Sequence, residues 1–451
     1  MNIIIVKELN DMFIYYSDKL IIYLIHNFYL NRKKNIYMIL VYFSFLFCFI
    51  HNSLILPFKN NRFQKNNLSL KEIVSNEIFT EIKLGNPEQK IKLQLTFLSH
   101  YIFITKDYYN INKSSTYSKL EIKEKKYSSK EMDIKGYLST EKLNIQNNML
   151  SNFSFIYIEN TTLNNYNRTL KNCLLGLRPK PYYYQVNLLQ QLKQNNLIES
   201  YIYSIKYNNE NEGEIIIGKY PHEYNINYKE EKLKIISAEI FASKFDWSTQ
   251  FKNITYGNIT KEYTLNGEFS LDYSGIIGTK QYKEEIDKLF FNQLFNNGSC
   301  SYDQIPFGNN NFVHLFIYIC NKDINIINFT SLNFFHYDLN MSFTFGSDLF
   351  KEFNGKKYFM VFLPEYNINR WILGEIFLKK YLIVLEQYKG IMGFYYDIET
   401  KSNFPYSYVF IAILLILVFI LSFLLYRALK KKRKLRANEL DDDFEYLPSP
   451  N

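Results

Sequence analysis

At 451 residues the chain is long enough to bury a large core in two or three domains or one bilobed one, which excludes a small disulfide-stapled scaffold. The abundance of Tyr (40) and Phe (39), the scarcity of Gly (16) and the prevalence of Asn, Lys and Ile read as an AT-rich coding bias, not as a functional signature. The formal net charge of +9 does not imply nucleic acid, because much of it sits in one run, Arg427, Lys430, Lys431, Lys432, Arg433, Lys434 and Arg436, beside an apolar segment where basic residues report membrane topology.

In chain order, Arg32, Lys33 and Lys34 precede an apolar run of signal-peptide length, Ile36 to Ile50, that ends at the polar His51, Asn52 and Ser53. Residues 1–57 are therefore expected to be a leader, either a cleaved signal peptide or an anchor, with cleavage preferred and its position open. From about residue 75 to residue 398 short alternating segments are separated by Gly, Asn and Pro turns: EIFTEIKL and KIKLQLTF, then GEIIIG, KNITYGN, GEFSLDYSG, SLNFFHYD and YLIVLEQY. Alternation at this spacing predicts a mainly β architecture. Two stretches have apolar residues spaced for one helical face, Leu188 to Asn196 and Lys283 to Phe291.

Four cysteines occur: Cys48 in the leader, Cys173, Cys300 and Cys320. In an oxidising compartment Cys300 and Cys320, the closest pair, are expected to form a disulfide, and Cys173, within an apolar stretch, a buried free thiol. The sparse histidines form no cluster with zinc-site spacing, so neither metal nor cofactor is expected. Asn-rich patches such as 208–211 and 309–311 read as solvated loops. Ten Asn-x-Ser/Thr triplets are compatible with a lumenal setting but arise readily in so Asn-rich a chain.

Ser407 to Tyr426 carries no charge over 20 residues, enough helix at 1.5 Å per residue to cross a hydrocarbon core of roughly 30 Å. With its basic flank on the C-terminal side, the segment predicts a single-pass type I protein whose ectodomain is lumenal or extracellular and whose tail, residues 427–451, is cytosolic. The tail ends in an acidic, aromatic stretch (Glu439, Asp441, Asp442, Asp443, Phe444, Glu445, Tyr446) that reads as solvated and disordered.

A faint duplication runs through the ectodomain. A strand that ends at Thr96 is followed by Cys173-Leu174-Leu175-Gly176-Leu177, and a strand that ends at Asp272 is followed by Trp371-Ile372-Leu373-Gly374-Glu375. Gly permits the close backbone approach needed where one segment threads beside another, so two similar halves would bring both loops to one cleft.

These segments resemble the pepsin-like aspartic protease family. WILGEIFLKKYLIVLEQYKGIMGFY (Trp371 to Tyr395) is similar to the family's late segment, EIFTEIKLGNPEQKIKLQLTF to its first hairpin, and GEFSLDYSG to its second active-site loop. NCLLGLRPK, EGEIIIGKY and the Trp247-containing WSTQFKNITYGN fall in the family's order. The resemblance implies a bilobed acid-protease fold, with an N-terminal lobe over 75–220 and a C-terminal lobe over 221–398. It also implies hydrolysis by two carboxylates about 3 Å apart that share one proton, each supplied by an Asp-Thr-Gly-Ser/Thr loop.

Only one such acid is present. Asp272-Tyr273-Ser274-Gly275 keeps it, whereas Thr96-Phe97-Leu98-Ser99 puts a hydroxyl in place of the first catalytic aspartate. The threonines that clamp the family's dyad are Phe97 and Tyr273 here, and the loop glycines are Leu98 and Ser274. In the expected flap, Tyr127 to Gly136, Ser129 falls at the family's tyrosine position and Tyr127 lies two residues away. His100, Glu131 and Asp133 can be weighed as substitutes for the missing acid, but nothing in the sequence puts them at the right distance, and each reads more naturally as a surface residue. Asp272 itself reads as a structural relic ahead of a catalytic group. The expected protein is thus a membrane-anchored pseudoprotease binding a peptide or protein. The alternatives are an active aspartic endopeptidase with an atypical dyad, and an adhesive or receptor ectodomain that binds outside the cleft.

Overall fold

The computed structural model describes residues 54–396, apart from 61, 63–66, 122, 129–132, 146–147, 161–171, 180–186, 226, 239, 242–243, 258, 308–313, 367 and 369, together with 424 and 427. The chain divides into two compact units, Met1–Asp397 and Ile398–Asn451, and every described strand belongs to the first. The apolar runs at 36–50 and 407–426 and the tail lie outside the described residues, except for Leu424 and Arg427. Among the described residues no helix is long and apolar enough to cross a membrane.

The fold is mainly β and is built twice over, as the duplication predicts. In the first half, strand Gln89–Thr96 runs parallel to Cys173–Gly176, with Thr96 opposite Gly176, and the strand after the loop, Ile102–Thr105, pairs antiparallel with the same segment. In the second half, Ile259–Phe269 runs parallel to Arg370–Leu373, and Ile276–Ile277 pairs antiparallel with it. Each late segment therefore threads between the two arms of its own loop.

That threading leaves no room for a side chain. A Cβ on Gly176 would lie 2.5 Å from the Ser99 carbonyl oxygen, and one on Gly374 would lie 2.2 Å from that of Gly275 and 2.3 Å from that of Tyr273. Backbone cannot give way as a flexible side chain can, so glycine is required at both crossings.

The halves are joined by a shared sheet. Ile202–Tyr207 pairs with Ile383–Glu386, and on its other side Glu212–Ile217 pairs with Leu54–Asn60, which in turn pairs with Ile78–Leu84. Leu54–Asn60 buries Leu54, Leu56 and Phe58 on one face, the period of two expected of a half-buried strand. Leu54–Pro57, read from sequence as the end of the leader, thus belong to a strand of this sheet, ahead of the expected lobe start at residue 75. Trp247 and Trp371 anchor the core, and Trp247 donates its indole N–H across the halves to the Leu177 carbonyl at 2.8 Å.

The first predicted helix spans Leu188–Gln194, capped by the Asn187 side chain. The second begins earlier than its apolar spacing suggests, at Lys280, because Thr279 caps it through the Tyr282 N–H. It changes at Asp287 into a π-helical turn ending at Phe291. Cys300 and Cys320 face each other in the hairpin Cys300–Pro306/His314–Asn321 and are disulfide-bonded, whereas Cys173 is a buried free thiol that accepts the Thr105 N–H.

Candidate active-site cleft

Thr96 ends the strand Gln89–Thr96 of the first half, and Asp272 lies in the loop just beyond the strand Ile259–Phe269 of the second. Thr96 is held from behind by Leu177, whose N–H donates to its carbonyl at 2.9 Å, and the Asp272 loop by Ser270, whose N–H donates to the Leu373 carbonyl at 3.0 Å. The two side chains meet directly: Thr96 Oγ1 lies 2.9 Å from Asp272 Oδ1 and 3.1 Å from Oδ2. A hydroxyl carries one proton, so it serves one carboxylate oxygen at a time. Thr96 Oγ1 also accepts the Leu98 N–H at 3.0 Å, which fixes its rotamer. Ser270 Oγ accepts the Asp272 N–H at 3.2 Å and lies 3.4 Å from Oδ2.

The residues expected at the clamp positions are packed against their surroundings. Phe97 is buried in the main core, Leu98 is half-buried, and the half-buried Tyr273 stacks at 5.9 Å on Phe307 of the disulfide-closed hairpin. Ser274, expected at a loop-glycine position, donates its hydroxyl to the Ile73 carbonyl, with that of Val74 at 3.2 Å, and its N–H to the Val74 carbonyl at 2.9 Å. Ser75 forms a backbone bridge with Tyr273, and Asn76 donates its N–H to the Asp272 carbonyl at 2.9 Å and its side-chain amide to that of Leu271, also at 2.9 Å. The second-half loop is thus gripped by residues 73–76 of the first half.

Of the three substitutes weighed from the sequence, only His100 has its side chain described. His100 stacks on Tyr101 at 3.9 Å, Glu131 lies outside the described residues, and the side chain of Asp133 is not among those described. The expected flap is a hairpin of Lys125–Ser128 against Asp133–Ile145, with Ser129 outside the described residues. Tyr127 packs on Tyr101 at 5.4 Å and donates to Glu121 at 3.3 Å; burial, then the Glu121 charge, pushes its phenol pKa up. Among the described residues no group of three or more His, Cys, Asp or Glu is placed to hold a metal ion.

Asn60, Arg62, Asn76 and Glu375, all buried, were not foreseen as part of this region. The available signal was Glu375 itself, a carboxylate in the otherwise apolar run WILGEIFL, which demands a buried partner. Residues 77–394 match the family model of the eukaryotic aspartyl protease. No curated protein matches the chain.

Proposed function

The chain belongs to the eukaryotic aspartyl protease family, and from that membership we propose that it is a pseudoprotease that keeps the family's cleft as a binding site for an extended peptide or protein segment and has lost hydrolysis. The observation that carries this reading is the Thr96 hydroxyl bonded at 2.9 Å to Asp272. An aspartic protease needs one carboxyl to draw a proton from water while another donates to the scissile carbonyl, and an alcohol does neither near neutral pH. General acid–base catalysis alone is worth ~10²–10⁴-fold, and the dyad's clamp has been rebuilt with Phe97 and Tyr273, so useful turnover goes with it.

Binding outlives chemistry because main-chain pairing with an extended ligand needs no dyad. Half-buried Leu98, Tyr273 and Phe307 beside Asp272 favour apolar or aromatic side chains in the ligand. The proposed setting is a type I membrane protein with lobes dividing near residue 220, its cleft lumenal or extracellular and residues 427–451 in the cytosol. The basic flank after Tyr426 and the Cys300–Cys320 disulfide support it. Peptide-array binding tests the function: the full-length protein should retain a subset of peptides and lose them when Tyr273 and Phe307 are both changed to Ala. Binding that survives this change and maps to loops outside the cleft would favour an adhesive or receptor role instead.

A further inference from the structure

The segment Leu54 to Arg62 adjoins a long leader, yet it is wired into the Asp272 loop. Its strand fills the place between Glu212–Ile217 and Ile78–Leu84, and Asn60 at the strand's end and Arg62 just after it enter a buried polar network. Arg62 Nη2 pairs with Glu375 Oε2 at 2.9 Å, and the two side chains are 6% and 1% exposed. Asn60 Nδ2 donates to Glu375 Oε1 at 3.1 Å and to Asn76 Oδ1 at 2.8 Å, while its own Oδ1 accepts the Arg62 N–H at 3.0 Å. Arg62 Nη1 also donates to the Ile73 carbonyl at 3.3 Å, the oxygen that receives the Ser274 hydroxyl.

Both far ends of this network are the Asp272 loop. Asn76 holds the carbonyls of Leu271 and Asp272, and Glu375 donates its N–H to the Tyr273 carbonyl at 2.8 Å. Without residues 54–62, Glu375 would keep Lys379, at 2.9 Å, but lose its guanidinium and amide partners while still buried, which is the costly way to break a buried ion pair. The sheet would also open into two bare edges and lose the side chains of Leu54, Leu56 and Phe58 from its core.

We infer that residues 54–62 are a permanent arm of the working protein, so that any leader removal ends ahead of Leu54, and that Asn60, Arg62 and Asn76 are positioning residues for the Asp272 loop. The arm serves this role whether or not the cleft hydrolyses or binds peptide.

The test uses the full-length protein with residues 63–66 replaced by a site for a specific protease, cut after folding. The cut arm should stay bound through size-exclusion chromatography. If it is stripped off, the amides of Asn76, Ser274 and Glu375 should exchange at least tenfold faster while those of the Cys300–Pro306 hairpin are unchanged. Arg62→Gln, uncut, should accelerate the same three amides and spare the same hairpin. An arm that leaves with neither the melting temperature nor these amides altered would overturn the inference. So would a protein isolated from its own cells, folded, with an N-terminus beyond Arg62; an N-terminus at or before Leu54 would support it.

Discussion

Thr96 and Asp272, 176 residues apart in sequence, are hydrogen-bonded to each other at 2.9 Å across the two halves of the molecule. The spacing is close to that of the paired acids of an aspartic protease, with an alcohol in one seat. The bond is an inter-half tie of its own, and Thr96→Val removes both the donor to Asp272 and the acceptor of the Leu98 N–H. A loss of about 1–3 kcal/mol is expected in denaturant titrations, because the remaining partners are left unsatisfied, with Thr96→Ser recovering most of it.

Thr96→Asp would seat a second carboxylate against the first. Two such groups cannot both ionise cheaply, so one is held protonated with its pKa raised above the usual carboxyl value of about 3.9. A raised folded-state pKa stabilises below the unfolded pKa and loses that contribution as pH rises through the folded one. The variant should therefore match wild type at about pH 4 and fall below it at neutral pH, as read by melting temperature across the range. A variant whose deficit is the same at both ends would show that the two side chains do not meet.

The glycine crossings should be intolerant. Gly374→Ala places a methyl group 2.2 Å from the Gly275 carbonyl oxygen, and Gly176→Ala places one 2.5 Å from that of Ser99. Overpacking against backbone is expected to cost about 1–3 kcal/mol at each site. Gly298, around which a Cβ would find open space, makes the contrast: its positive φ of 72° carries a smaller backbone penalty and no clash. Thermal melts of the three Ala variants should rank accordingly.

His336 gives the fold an acid-sensitive point away from the cleft. Its Nδ1 accepts the Leu339 N–H at 3.3 Å, so Nε2 carries the proton and donates to Thr249 Oγ1 at 2.7 Å, with the Phe251 ring edge-on at 5.7 Å. Burial lowers its pKa from the ordinary 6.5, against a smaller opposing pull from Asp338. Because the unfolded chain takes the proton first, this contribution to stability is present above 6.5 and declines as pH falls below it. His336→Gln should flatten the melting-temperature profile in that window.

Much of the fold could be read from local pattern. Ile78–Leu84 and Gln89–Thr96 alternate cleanly because one face packs on the core, and the two Gly segments announced the crossings that the structure contains. What local pattern could not show is long-range pairing. Leu54–Asn60 follows closely on the apolar run 36–50 in the sequence, and its place beside Glu212–Ile217 is visible only once distant strands are assembled. For the same reason the hydroxyl at position 96 was legible in the sequence, whereas its bond to Asp272 and the Asn76 grip were not. The helix predicted over Lys283 to Phe291 is present but begins earlier, at Lys280, where the short polar side chain of Thr279 caps it.

On the proposed reading, one carboxylate and one alcohol do not make a proteolytic centre. The most direct measurement incubates the full-length protein with a diverse peptide pool from about pH 4 to about pH 7, beside an Asp272→Ala control, and maps cleavage by mass spectrometry. Identical, background-level patterns are expected for the two proteins at every pH. Peptide cleavage by the wild type that disappears in Asp272→Ala would contradict it.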